Sequence, residues 1–284
     1  MDVSLGQQDL ALLRDFLAAM EEAQVKCFLV GAGARLFAFD RRWNVKGARA
    51  TLDWDFAVRA ESWDHWSALT ARLVRGTPAR FTPGKSEHRF LHVDGAVLDL
   101  VPYGGVESPR GEILWPGQAR MSVQGFRESE GGCELLDTGM GLTVPVAAIP
   151  SLALLKLHAY RDRRQRGERK DIQDFDWYLR NYELAGNESR VHEELGEALR
   201  SDLIGIQDAG AALLGLDVAR MHTSDAITAA REILIESRDP WSKVTTDVLM
   251  GKRAADDDWD RRARDETCRA FGAFESGLEL ARLT

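Results

Sequence analysis

The sequence predicts an α+β chain, with an N-terminal α/β half and a C-terminal helical half. Three observations carry this. Up to residue 145, strand-length apolar runs alternate with helical stripes. Turn signals such as Asp94-Gly95 and the stretch 138–141 join short strands as hairpins. From residue 146 onward the periodic segments have helical spacing. The expected division is 1–145 for the α/β core and 146–284 for the helical half.

Over residues 7–24, Leu10, Leu13, Phe16 and Leu17 recur at helical spacing, and Met20 extends the stripe. Residues 25–30 read as a buried strand, broken by Gly31-Ala32-Gly33. A helix starts over 34–39, and 40–50, basic and glycine-containing, reads as a loop. Residues 51–58 (TLDWDFAV) alternate like a strand, and Ser62 caps a helix over 62–74. Residues 89–93 and 96–101 flank Asp94-Gly95 as a hairpin. The Gly- and Pro-rich stretch 104–125 reads as a partly irregular excursion, and 135–137 with 142–144 as a second hairpin. Helices follow at 151–164, 170–181, 189–199, 207–214, 224–236 and 260–280, with Pro150 in a first turn.

The 284 residues are 44% hydrophobic and 29% charged, which excludes collagen-like and disordered classes. No stretch approaches the roughly 18 apolar residues of a membrane helix. The N-terminus lacks a basic segment followed by an apolar one, so a cytoplasmic protein is expected. Cys27, Cys133 and Cys268 fit no metal spacing and read as thiols in a reducing compartment. A net charge of −8 repels nucleic acid, so a polyanion needs a local basic patch.

Asp53 and Asp55 stand two apart on a strand, so both carboxylates face one side. About 7 Å apart along the chain, they repel unless a cation lies between them. Hard divalent ions take such ligands, and Mg²⁺ typically adds phosphate oxygens. Asp99, flanked by Leu98 and Leu100 in VLDLVPY, is a third acid that a neighbouring strand could bring alongside. Gly31 and Gly33 let backbone N–H groups approach an anion at the start of a helix.

Residues 156–170 hold seven positive charges, from Lys156 to Lys170, against Asp162 and Glu168. Lys156 interrupts an apolar run and needs a partner, for which a triphosphate is suited. Lys156, Tyr160 and Arg163 share a helical face. Arg164 and Arg166 read as solvated charges at a helix end. Asp171 and Asp174 lie at the next helix start, where the dipole favours acids. Ile172, Phe175, Leu179 and Tyr182 form that helix's core stripe. His88 and Arg89 precede a strand expected beside Asp99, where either could touch nucleotide, with a surface position the preferred reading; the acids at 256–260 read as a loop and N-cap. No histidine pair has zinc spacing, and no Ser/His/Asp or Cys/His set suggests a hydrolase.

LVGAGAR, RATLDWDFAV, VLDLVPYG, LWPG and SLALLKLHAYRDR…RKDIQDFDWYL together resemble the AbiEii/AbiGii toxin-type nucleotidyltransferases, of the polymerase-β-like superfamily. The resemblance covers about residues 25–182. It implies a mixed-sheet nucleotidyltransferase core, and a helical half that completes the nucleotide site and acceptor groove. It implies Mg²⁺ or Mn²⁺ on Asp53, Asp55 and Asp99, and NTP held by Gly31, Ala32, Gly33, Lys156, Arg163 and Lys170. Asp171 matches the position near the reacting hydroxyl. The implied acceptor is RNA, such as a tRNA 3′ end, or a protein hydroxyl, and the implied partner is an antitoxin. Ala32 departs from the serine of many superfamily members and removes a hydroxyl contact to phosphate. The long gap from Gly31 to Asp53 suggests an inserted loop at 41–49. The alternative is a nucleotide- or partner-binding module that keeps the fold without transfer. Intact Asp53, Asp55 and Asp99 argue against it.

Overall fold

Leu10, Leu13, Phe16 and Met20 give α1 (Gln7–Ala23) one buried face, as their spacing predicts. The computed structural model describes residues 5–47, 53–75, 79–109, 111–252 and 256–282. The chain divides into two compact units, Met1–Ala148 and Ile149–Thr284.

In the first unit, α1 leads through β1 (Cys27–Val30) into α2 (Gly31–Arg35). The helix continues as a π-helical turn, Leu36–Arg41, and stays helical through Trp43. Residues 40–43 were expected in a loop. The buried pair of Arg35 and Asp40, 2.7 Å apart, holds them in the helix instead. The rest of the expected inserted loop lies only partly within the described residues, as do Thr51 and Leu52 of the expected strand.

Next come β2 (Asp53–Ala60), α3 (Trp63–Val74), β3 (Phe81–Pro83), β4 (Arg89–His92) and β5 (Val97–Gly104). Ser62 caps α3 by accepting from the His65 amide. The excursion after β5 contains a small hairpin, β6 (Glu112–Leu114) with β7 (Arg120–Ser122). The unit closes with α4 (Phe126–Gly131), β8 (Glu134–Asp137) and β9 (Thr143–Val146). Among the described residues one mixed sheet has the order β3-β4-β5-β2-β1-β9-β8. β2 runs parallel to β5 and β1 to β9, whereas β1–β2 and β4–β5 are antiparallel. Trp54 and Phe56 on β2 and Leu98 and Leu100 on β5 are buried, which leaves the intervening acids to the other face.

The second unit is helical: α5 (Ile149–Arg163), α6 (Lys170–Asn181), α7 (Glu188–Arg200), α8 (Ala209–Met221), α9 (Ser224–Glu236), α10 (Lys243–Leu249) and α11 (Asp257–Leu280). Ile172, Phe175, Leu179 and Tyr182 are buried, with Phe175 against Phe271 and Phe274 of α11. Asp256 caps α11 by accepting from the Trp259 amide. α10, α4 and β3 are too short to show a period in sequence.

Candidate active site

The sheet register brings four sequence segments into one row. Arg89 on β4 pairs with Asp99 on β5, Asp99 with Asp55 on β2, and Asp55 with Val30 on β1. Paired residues in a sheet share a face. Asp53 lies two residues before Asp55 and joins the same face. The row crosses interior strands near the start of β2, not the edge of the sheet where it was expected.

Gly31 follows Val30 and turns the chain into α2 at φ +68°. This left-handed conformation costs a side-chain-bearing residue about 1–2 kcal/mol. Space is the second demand: a Cβ on Gly31 would stand 2.3 Å from Asp55 Oδ2. The glycine turn and the D-x-D strand therefore meet directly. α2 begins without a side-chain cap, so its first N–H groups lack intrahelical partners. Gly31 and Ala32 are half-buried. Gly33 serves packing, because a Cβ there would meet the Trp54 ring at 2.9 Å. Trp54 is fixed in turn by donating its indole N–H to Asp9 at 2.9 Å.

Arg89, expected at the surface, lies among the acids. Its Nε donates to Asp99 Oδ1 at 2.8 Å and its Nη2 to Asp99 Oδ2 at 2.5 Å. The same Nη2 donates to Asp53 Oδ2 at 3.1 Å. Hydrogen bonding to Asp99 raises the guanidinium pKa above its ordinary value; burial opposes this, and Asp53 and Asp55 add to it. Asp99, expected as a third metal ligand, thus has both oxygens on an arginine. No group of three or more His, Cys, Asp or Glu is arranged to hold a metal among the described residues. The pair Asp53 and Asp55 supplies hard oxygen donors on one accessible face. That fits an ion which takes one or two carboxylates and completes its shell with phosphate and water.

The second unit carries its own charged cluster. Lys156 Nζ donates to Asp171 Oδ1 at 3.1 Å and to Asp174 Oδ2 at 2.7 Å. Arg163 Nη1 donates to Asp171 Oδ2 at 3.1 Å. The lysine in the apolar run has carboxylate partners, where a triphosphate was expected. Asp171 is buried. Burial acts to raise its pKa, but Lys156 and Arg163 outweigh that and hold it below the carboxylate range. Tyr160 lies on the same face of α5 as Lys156 and Arg163, as its spacing predicts, and its hydroxyl donates to Asp247 at 2.8 Å.

The basic stretch is largely answered by acids distant in sequence. Arg164 pairs with Glu236 at 2.6 Å and Arg169 with Asp247 at 3.2 Å. Arg164, read as solvated, is therefore paired. Arg166 and Lys170 are exposed, and Lys170 adds a positive charge near Asp171. The cysteines form no disulfide among the described residues, and burial pushes Cys27 and Cys133 up to about 12. Among the described residues no helix is long and apolar enough to cross a membrane.

The structure thus sets a glycine-turn helix start against a D-x-D strand, with a third acid in register. The family model described as "Nucleotidyl transferase AbiEii toxin, Type IV TA system" matches residues 41–265. The chain belongs to that family and is an NTP-dependent nucleotidyltransferase. The matched span includes Asp53, Asp55, Asp99, Lys156 and Asp171 and begins after the glycine turn. The toxin family implies an antitoxin partner. No curated protein matches the chain. Among solved structures, a solution structure of antibiotic-resistance factor ANT(2'')-Ia is 16% identical with TM-score 0.37, over 72% of this chain and 95% of that one. A crystal structure of an antigenic nucleotidyltransferase-like protein from Paracoccidioides brasiliensis is 16% identical with TM-score 0.39, over 69% and 94%. The Thermotoga maritima CCA-adding enzyme complexed with tRNA is 11% identical with TM-score 0.25, over 99% and 84%.

Proposed function

We propose that this chain is the toxin of a type IV toxin–antitoxin or phage-defence pair. It would move a nucleotide from an NTP to a hydroxyl of RNA, such as a tRNA 3′ end, or of a protein. The observation that carries the transfer reading is the half-exposed pair Asp53 and Asp55, with Asp55 packed against Gly31.

Asp53 and Asp55 would hold Mg²⁺ or Mn²⁺. When bound, such an ion neutralises charge on the phosphates during in-line attack. The amides at Gly31 and Ala32, at the uncapped helix start, would take phosphate oxygens. Asp99 anchors Arg89. In the helical unit Lys156, Arg163 and Lys170 are carried over as candidate nucleotide contacts, a role in which phosphate would share or displace the carboxylates that Lys156 and Arg163 hold. Asp171 and Asp174 fix the ammonium of Lys156. A carboxylate held below its usual pKa is a weak proton acceptor, so Asp171 serves as a positioning residue.

The test incubates the full chain with each labelled NTP, Mg²⁺ and either total RNA or lysate protein. The wild type labels one acceptor class. Asp53→Ala and Asp55→Ala each lose transfer by about a hundredfold or more, the scale of a lost metal ligand, with unchanged melting. Near-wild-type transfer by either variant removes the metal assignment.

A further inference from the structure

The guanidinium of Arg89 lies where a cation would serve the acids. We infer that Arg89 is the resident counter-ion of this site, so that a divalent ion loads on Asp53 and Asp55 only together with the nucleotide. This inference rests on the metal reading above and adds an order of binding to it.

Asp99 is nearly buried, and Arg89 holds it through a two-pronged contact at 2.8 and 2.5 Å. Such a fork is among the stronger charge-assisted pairings. The same Nη2 also reaches Asp53 Oδ2 at 3.1 Å, and the side chains of Arg89 and Asp53 are 38% and 37% exposed. The paired contacts to buried Asp99 are therefore the anchor, and the longer, more exposed contact to Asp53 is the one that yields. With Arg89 in place, the three acids and the arginine carry a net charge of −2 rather than −3. A bare divalent ion meets a weakened field and finds Asp53 already held by Arg89. An incoming ion with a triphosphate brings its own anionic ligands, and these offer the outer edge of Arg89 a new partner when Asp53 is taken. No proton is transferred in the exchange.

The hairpin at Asp94-Gly95 predicts a strand beside Asp99, but the sequence does not set where the Arg89 guanidinium ends. Its partner lies ten residues on, across the turn at Asp94-Gly95, and only the β4–β5 register sets them side by side. Asp53 lies on another strand again.

The experiment follows Mn²⁺ binding by electron paramagnetic resonance without nucleotide, in wild type, Arg89→Gln and Arg89→Lys, each checked by circular dichroism. Removing a unit charge beside half-exposed carboxylates should tighten Mn²⁺ binding at least about tenfold in Arg89→Gln. Arg89→Lys keeps the charge and should bind as weakly as wild type. Asp53→Asn in the Arg89→Gln background should abolish the gained site. Equal affinity in wild type and Arg89→Gln overturns the inference. If Arg89→Gln does not fold, the wild type decides alone. A tight nucleotide-free site that Asp53→Asn removes overturns the inference, and weak binding supports it. Magnesium-dependent transfer by the wild type reports separately on the metal reading, which can stand when this inference falls.

Discussion

At Gly31 two steric demands coincide: a left-handed φ and a carboxylate oxygen 2.3 Å from any added Cβ. Gly31→Ala should therefore cost about 1–2 kcal/mol of stability through φ alone. It should lower transfer further by displacing Asp55, because catalytic carboxylates misplaced by about 1 Å lose about a hundredfold. Melting curves and initial rates separate the two losses. An alanine variant with wild-type rate would show that Asp55 does not need this contact. The same scale explains Arg35, whose buried pair with Asp40 replaces an expected loop by helix. A buried arginine without a carboxylate is expensive, so the backbone conformation that supplies the partner wins.

At the scale of elements, α8 and α11 approach through glycine. A Cβ on Gly277 of α11 would fall 1.9 Å from the Ala212 carbonyl oxygen of α8. Gly215 of α8 stands in the same relation to Phe274 of α11, at 2.0 Å. Gly277→Ala should destabilise the helical unit by about 1–3 kcal/mol through overpacking. Gly272, on the same helix, has open space around its Cβ position. There alanine should be neutral or add up to about 1 kcal/mol, since it is the better helix former. Denaturant midpoints of the two variants make the comparison within one helix. If both behave alike, the close approach of α8 and α11 is not what holds these helices.

For the whole molecule, acid sensitivity follows from a buried histidine. His158 on α5 is 3% exposed, and neither ring nitrogen has a hydrogen-bond partner among the described residues. Burial, then the nearby Arg161 and His222, push its pKa down to about 3. In the unfolded chain the value is about 6.5. Between these values the unfolded state binds the extra proton, so stability falls as pH drops below about 6.5. The slope is at most about 1.4 kcal/mol per pH unit. Asp171, depressed instead, adds stability that is present above the unfolded carboxylate range and lost as pH falls through its lower folded value. Midpoints at pH 7.5 and 5.5 should differ in wild type and much less in His158→Leu, where no ring titrates. Equal pH slopes in the two proteins would show that His158 is not the group responsible.

Local periodicity made much of this protein legible without coordinates. The pairing of Asp53 with Asp55 on one face needs only the two-residue repeat of a strand. The α6 stripe from Ile172 to Tyr182 needs only the helical repeat, and the caps at Ser62 and Asp256 need only a short polar side chain before a periodic run. What tertiary structure decided is which charge meets which. Lys156 and the basic stretch after it invited an anionic ligand by composition. Their carboxylates come from Asp171, Asp174, Glu236 and Asp247, brought in by helix packing. For Arg89 the hairpin predicts a strand beside Asp99, and only the register sets its guanidinium against both Asp99 and Asp53. Periodicity is a property of neighbours along the chain, whereas an ion pair is set by distance in space. The sequence therefore determined the fold class and the acid pair, and packing alone determined which charges lie against that pair.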